Sequence, residues 1–230
     1  MKKKICIIIP ARSGSKGIKN KNIALLHKKP LIAHSIISAK KTGIKNIIVS
    51  TDSLKYKKIA EKYGAKVPFL RPKKISSSTS LDEEYLRHCH QWFVKKSINI
   101  ELFIILRPTT PFRKHGVITK ALNVFKKKKL NFLRSAHKAS ESPMKWFRVD
   151  KKGFFKPLVG KTNNTNQIRQ KFEQVYIPNG YVDIIKTKNF DKKNIYGKKM
   201  YVFETSPILE IDTQHDLKLI RNIKNNKIFS

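Results

Sequence analysis

Arginine, lysine and glycine alternate near the start of the chain in a pattern that suits one kind of ligand. Arg12, Gly14, Lys16, Gly17, Lys19 and Lys21 follow an apolar run at residues 5–9 that stops at Pro10. Glycines let backbone N–H groups approach a ligand closely and adopt positive φ, while the cations supply charge. That is the chemistry of a polyphosphate cradle at the carboxyl end of a β-strand. Neither GxxxxGK(S/T) nor GxGxxG occurs, which removes the mechanisms tied to those spacings. Taken alone, a loop of this composition also fits a solvated turn.

Glu210 and Asp212 form the acidic element. On an extended segment residues i and i+2 face the same side, so both carboxylates can converge on one cation. Two carboxylates with phosphate oxygens and water suit Mg²⁺, a hard ion that prefers oxygen. Asp212, beside Thr213, can also cap a closing helix, and the two roles are compatible. Residues 107–113, Arg-Pro-Thr-Thr-Pro-Phe-Arg, hold prolines that cannot extend a central strand. They read either as a rigid turn with solvent-facing arginines or as part of a site. Ligands of open α/β sheets bind outside the carboxyl ends of the strands. The first loop, Arg71-Pro72, residues 107–113 and residues 210–212 all fall at such ends.

Composition narrows the partners. The 230 residues carry a formal net charge of +36, from 51 basic and 15 acidic side chains, and the sequence pI is about 10.3. Only nine of the basic residues are arginine. The lysines are scattered along the chain, and with abundant asparagine and isoleucine they match an AT-rich coding sequence. Arginine is the usual reader of phosphate and base edges, so a nucleic-acid-binding protein is disfavoured against an enzyme with a polyanionic ligand. The 40% hydrophobic content fits a globular chain. No apolar stretch approaches the ~20 residues needed to span a bilayer. The opening Met-Lys-Lys-Lys reads as the approach to a buried strand, not a signal peptide. Cys6 and Cys89 are too few for a disulfide framework and read as core residues. A soluble cytoplasmic protein is expected.

The positioning elements alternate, which predicts an α/β fold with a mostly parallel sheet and helices on both faces. Helices are expected over 30–41, 53–63, 81–96, 117–128 and 213–223. Strands are expected over 5–9, 46–50, 67–70, 101–106, 132–136, 180–185, 200–203 and 208–211. The 101–106 strand is the most apolar and is expected to be central. A polar loop covers 75–82, and the lysines at 126–129 read as a solvated helix end. From 140 to 176 the alternation fails, and an irregular insertion or dimerisation arm is expected within one domain.

The run Pro10-Ala11-Arg12-x-Gly14-Ser15-Lys16-Gly17, followed four residues later by Asn22-Ile23, closely resembles the nucleotide-binding loop of the CMP-N-acylneuraminate cytidylyltransferases. Residues 107–113 resemble that family's QPTSPLR-like segment, with Arg107 where many members carry Gln. Arg169-Gln170 and Asn179-Gly180 resemble its RQ…NG pairing, and Lys145 sits where the family often has a lysine near the acceptor. The resemblance runs from residue 7 to about 219. It implies a nucleotide-diphospho-sugar transferase-like fold, a homodimer with an exchanged arm, and transfer of CMP from CTP to a nonulosonic acid with release of pyrophosphate. It implies that Arg12, Lys16 and Lys21 bind the triphosphate, and that Ala11, Gly14, Ser15, Asn22, Arg71 and Ser80 complete the nucleotide site. Arg169 pairs with the sugar carboxylate, and Gln170, Asn179, Lys145, Arg107 and Thr109 line the acceptor site. Asp212 is the main Mg²⁺ ligand with Glu210 assisting, although the family typically has Asp at both positions. No histidine stands out as a general base. The alternatives are a 3-deoxy-manno-octulosonate cytidylyltransferase, another sugar nucleotidyltransferase, and a metal-dependent glycosyltransferase, for which no mid-chain DxD is present.

Overall fold

The computed structural model describes residues 4–223, without the side chains of Asn163, Asn164 and Arg169. The strands are β1 (Ile5–Pro10), β2 (Leu25–Leu26), β3 (Lys29–Pro30), β4 (Asn46–Ser50), β5 (Leu102–Ile105), β6 (Phe132–Lys138), β7 (Phe147–Val149), β8 (Phe155–Pro157), β9 (Tyr176–Lys186) and β10 (Met200–Glu204). The helices are α1 (Leu31–Lys40), α2 (Leu54–Lys62), α3 (Asp82–Lys95), α4 (Val117–Lys127) and α5 (Gln214–Asn222). Six strands form one sheet in the order β10-β6-β9-β5-β1-β4.

Alternation along the strands separates two apolar layers. Ile5, Ile7 and Ile9 of β1 pack with Ile32 and Ile36 of α1, Tyr56 and Ala60 of α2, and Leu122 and Phe125 of α4. Cys6 and Ile8 face the other way, onto Tyr85, Leu86, Cys89 and Phe93 of α3. Both cysteines are free and buried. Helices therefore cover both faces, and β5 lies between β1 and β9 in the middle of the sheet.

Three departures from the sequence expectation have local causes. Residues 67–70 form no strand: Lys66 makes a single bridge to Ile48, and Pro68 has no N–H to continue the ladder. Residues 208–211 join no sheet, and the Ile211 amide instead donates to the Thr109 carbonyl at 2.9 Å. The 180–185 strand is the second half of an 11-residue strand, β9, which runs antiparallel to both β5 and β6. Its first half leaves the sheet core and leads back to the 140–176 stretch, where β7 and β8 pair as a small separate ribbon.

Gly180 sits where β9 passes the end of β5. Its φ is +59°, and a Cβ there would lie 2.8 Å from Cδ of Arg107. The glycine of the Asn-Gly pair thus makes room for the aliphatic stem of an arginine. Arg113 locks the same corner. Fully buried, it donates to the carbonyls of Tyr181 (2.7 Å) and Arg107 (2.8 Å) and to Ser35 Oγ (3.1 Å), and burial pushes its pKa down to about 9. Gly180→Ala is expected to destabilise the fold by roughly 1–3 kcal/mol, the cost of a strained left-handed residue. The denaturant midpoint should fall with an unchanged slope, and a parent-like midpoint would rule out this account of the glycine.

Candidate active site

The loop after β1 is held from several sides. Ser13 donates from its backbone N–H and from its hydroxyl to the two oxygens of Asp52, each at 2.7 Å. Asn22 donates to the Arg12 carbonyl at 2.9 Å, and the Tyr56 hydroxyl reaches Asn20 Oδ1 at 3.3 Å. Neither Gly14 nor Gly17 takes a positive φ; Asn20 does, at 57°. Gly17 is required for a different reason. A Cβ there would stand 2.4 Å from the Asp212 carbonyl oxygen, so the loop rests directly on the segment before α5.

That segment carries the two acids. Lys21 Nζ lies 2.8 Å from Asp212 Oδ1. Thr213, not Asp212, caps α5: its hydroxyl accepts from the Asp216 amide, and Asp216 accepts from the Thr213 amide in return. The Asp216 carboxylate also accepts from the Asp212 amide at 3.0 Å. These bonds from the Asp212 and Thr213 amides hold the Asp216 carboxyl below its usual range. The Asp212 carboxylate is thereby left out of the cap and stands largely exposed at the cleft. Glu210 Oε1 is buried without a partner. Burial, reinforced by the charge of Asp212, lifts the Glu210 carboxyl above the ordinary glutamate value.

An open cleft of about 530 Å³ joins these parts. Arg12, Ser15, Lys16, Lys21 and Asn22 line one side, Glu210 and Asp212 close it, and Arg71, Ser80, Arg107 and Thr109 complete the wall. The remaining sequence candidates lie elsewhere. Ala11 is buried under the loop, its amide on the Ser50 carbonyl at 2.9 Å. Gly14 is exposed and its carbonyl accepts from Arg12. Asn179 is buried and donates to Thr205 Oγ1 at 2.8 Å. Lys145 closes a 3₁₀ turn beside β7, and Gln170 lines a separate groove with Ser142 and Phe172. The backbone of Arg169 lies in the Arg169–Lys171 turn; its side chain is outside what the structure describes.

Asp82, Tyr85 and Ser78 also line the cleft, and sequence reasoning did not single them out. Asp82 takes both terminal nitrogens of Arg107. Behind it, buried Asp183 contacts Arg107 at 3.4 Å and Arg134 at 3.3 Å. Burial opposes charge on all three. On Asp183 it prevails, raising the carboxyl, whereas the Arg107 contact holds Asp82 below the usual range. Tyr85, Asp82 and Asp183 together raise Arg107 above the ordinary arginine value. Arg71 is buried against Ser50, with Nε on Oγ at 3.1 Å and Nη2 on the carbonyl at 2.8 Å, and its guanidinium lies 4.6 Å from the Tyr85 ring centroid.

The sequence profile of the cytidylyltransferase family matches residues 6–230. The chain belongs to that family. It is similar to the N-acylneuraminate cytidylyltransferase of Escherichia coli, with 31% identity over 235 residues that cover 99% of this chain and 54% of the relative. It therefore spans about half the length of that relative. It is also 31% identical to the CMP-N,N'-diacetyllegionaminic acid synthase of Legionella pneumophila, over 96% of each chain. Among solved structures, CMP:2-keto-3-deoxy-manno-octonic acid synthetase complexed with CTP superposes with a TM-score of 0.69 at 16% identity, covering 95% of this chain and 97% of that one. The last likeness concerns the fold, and places this cytidylyltransferase family member in the nucleotidyltransferase architecture expected from its sequence.

Glu210 supplies a stability test. Its folded pKa is raised, so the native state binds the proton more tightly than the unfolded chain, and stability falls as pH rises through that interval. Above that interval the penalty of a half-buried carboxylate is present. Glu210→Gln removes it, so this variant is expected to melt above the parent at pH 7. The difference should shrink as the pH falls toward the ordinary glutamate value of about 4.3. A variant less stable than the parent at pH 7 would contradict the burial argument.

Proposed function

We propose that this chain transfers CMP from CTP to the anomeric hydroxyl of a nonulosonic acid, releasing pyrophosphate. One observation carries the reading: the cationic loop of Arg12, Lys16 and Lys21 and the acids Glu210 and Asp212 line one cleft. The acceptor hydroxyl attacks the α-phosphorus, and charge grows on the phosphoryl oxygens and the leaving pyrophosphate. Positioned cations are the main catalytic resource for such a step. Arg12, Lys16 and Lys21 bind the triphosphate and offset that charge. Asn22, Arg71, Ser80 and Ser15 take the nucleoside side of the cleft, with backbone from Ala11 and Gly14 shaping it.

The residues present fit Mg²⁺. Among the described residues no group of three or more His, Cys, Asp or Glu side chains could hold a metal, but magnesium is commonly held by one or two carboxylates together with substrate phosphates. Asp212 and the unpartnered Glu210 oxygen offer that donor set. Bound there, the ion supplies positive charge to the phosphate oxygens. None of the seven histidines lines the cleft, so no imidazole base is assigned.

The acceptor is taken to lie toward Arg107 and Thr109. Lys145, Arg169, Gln170 and Asn179 are assigned to it through the family resemblance. Lys145 and Gln170 sit on the 140–176 arm, away from the cleft of their own chain. Exposed Trp146, Phe147, Val149, Phe154 and Phe155 on that arm support a homodimer in which arms are exchanged. No helix among the described residues is long and apolar enough to cross a membrane, and the supply of CTP favours a cytoplasmic site of action. Scattered lysines and the absence of a recognised module argue against nucleic acid as a partner.

Pyrophosphate release measured across a panel of nonulosonic acids with each NTP tests the whole reading. CTP is expected to be preferred by a wide margin, and equal rates with UTP or GTP would move the chain to another nucleotidyltransferase group. Asp212→Asn tests the metal site. Because Thr213 performs the capping, this variant should melt within a degree or two of the parent, while turnover falls on the order of 10²-fold or more. Glu210→Gln should be the milder change in turnover. An active Asp212→Asn protein with an unchanged Mg²⁺ requirement would end the metal-ligand assignment.

A further inference from the structure

Ser50, the last residue of β4, and the three residues after it, Thr51 to Ser53, are each committed to another element. Ser50 accepts from Arg71 through both its hydroxyl and its carbonyl, and its carbonyl also accepts from the Ala11 amide. The Thr51 carbonyl accepts from the Arg71 amide at 2.7 Å. Ser53 caps α2 by accepting from the Tyr56 amide, and Tyr56 in turn reaches Asn20 at the far end of the cationic loop. Asp52 is the unexpected member. It does not line the cleft, yet both of its oxygens are engaged by Ser13, inside the loop.

A carboxylate behind a loop bearing Arg12, Lys16, Lys19 and Lys21 is electrostatically unhelpful to an anionic ligand, because it offsets part of the charge that attracts it. Its geometry explains its presence. The paired bonds fix the backbone amide and the side chain of one residue at once. With Asn22 on the Arg12 carbonyl and Gly17 on the Asp212 carbonyl, they hold the loop in one conformation at three points. A loop already shaped for its ligand loses less conformational freedom on binding, and affinity rises accordingly.

We infer that Asp52 is a positioning residue for the triphosphate, acting through Ser13 by holding the Arg12–Lys21 loop in its binding conformation. The inference rests on the proposed nucleotide reading of that loop. Geometry and charge predict opposite signs, which makes the test sharp. Asparagine can keep both bonds, with Oδ1 accepting from the Ser13 amide and Nδ2 donating to the Ser13 hydroxyl. Alanine keeps neither.

Calorimetric titration of the full chain with CTP in magnesium buffer reads the effect directly. Asp52→Ala is expected to raise Kd on the order of 10-fold, and Asp52→Asn to leave it within about 3-fold. If only charge mattered, both variants would bind CTP more tightly than the parent, since each removes a negative charge beside the loop. A folded Asp52→Ala protein that binds CTP as well as the parent, or better, overturns the inference. Should that variant fail to fold, Ser13→Ala carries the test: it deletes one of the two bonds at a half-buried loop residue and should weaken CTP by about 2–5-fold. Parent-like binding there also overturns the inference. A parent protein that does not bind CTP at all would overturn the nucleotide reading itself, and this inference with it.

Discussion

The cleft depends on one close approach, that of Gly17 to the carbonyl oxygen of Asp212. It joins a loop near the start of the chain to a segment almost two hundred residues later, and no side chain fits between them. An apolar cluster lies beneath the contact, with Ile18 from the loop and Ile211 from the late segment packed among Leu26, Leu31, Leu217 and Ile220. Burying both isoleucines draws the two segments together, and the missing Cβ lets the backbones meet. In the Lys21–Asp212 ion pair above this contact the lysine is mostly covered but the carboxylate is largely open to solvent, so screening from that side keeps its contribution to stability small. Packing makes the site, and charge then uses it.

Acids are scarce in this chain, and five of them converge on the cleft or its supports. Glu210 and Asp212 line it directly, Asp82 holds Arg107 at its wall, and Asp183 and Asp52 stand behind. Asp183 shows the strain in this arrangement. Two arginines share one of its oxygens while the other, Oδ1, is buried without a partner. Arg107 is thus bound to carboxylates on one edge and seated over Gly180 on its stem. The position that the family resemblance pairs with a glutamine is here a charged group neutralised from within the protein.

Much of the frame could be read from the chain. Periodicity and Gly/Pro punctuation located α1, β4, α2, α3, β5 and α4 to within a residue or two, because the helices bury one regular face and the two strands are short apolar runs buried on both. The cationic loop, Arg71, Arg107 and the two late acids stand out by residue type and by their place at strand ends, Ser80 and Thr109 only through the family resemblance, and the structure brings all of them to one cleft. The direction of β9 was not legible, since an apolar strand buried on both faces reads the same in either orientation. Nor were Asp52, Asp82, Tyr85 and Asp183. Their partners lie far away in sequence, Ser13 for Asp52 and Arg107 for both Asp82 and Asp183, and a lone acid on a helix or at a strand end carries no local signature. The glycines of the loop were expected to supply positive φ, whereas their value here is close contact and Asn20 takes the left-handed turn.

Of the eight arginines whose side chains are described, five use two or more of their nitrogens at once. Arg71 grips Ser50 twice, Arg87 spans Glu83 and the Phe190 and Lys192 carbonyls, Arg107 takes Asp82 with both tips, Arg113 reaches Tyr181, Ser35 and Arg107, and Arg221 doubles onto the Leu25 carbonyl. A lysine offers a single ammonium and cannot copy a planar fork. Lysine outnumbers arginine by 42 to nine in this chain, so the positions that carry the fork stand out. Each of these five holds two directions at once, which a single ammonium could not do. These five arginines therefore mark joints that a change of arginine to lysine would loosen while leaving the net charge unchanged.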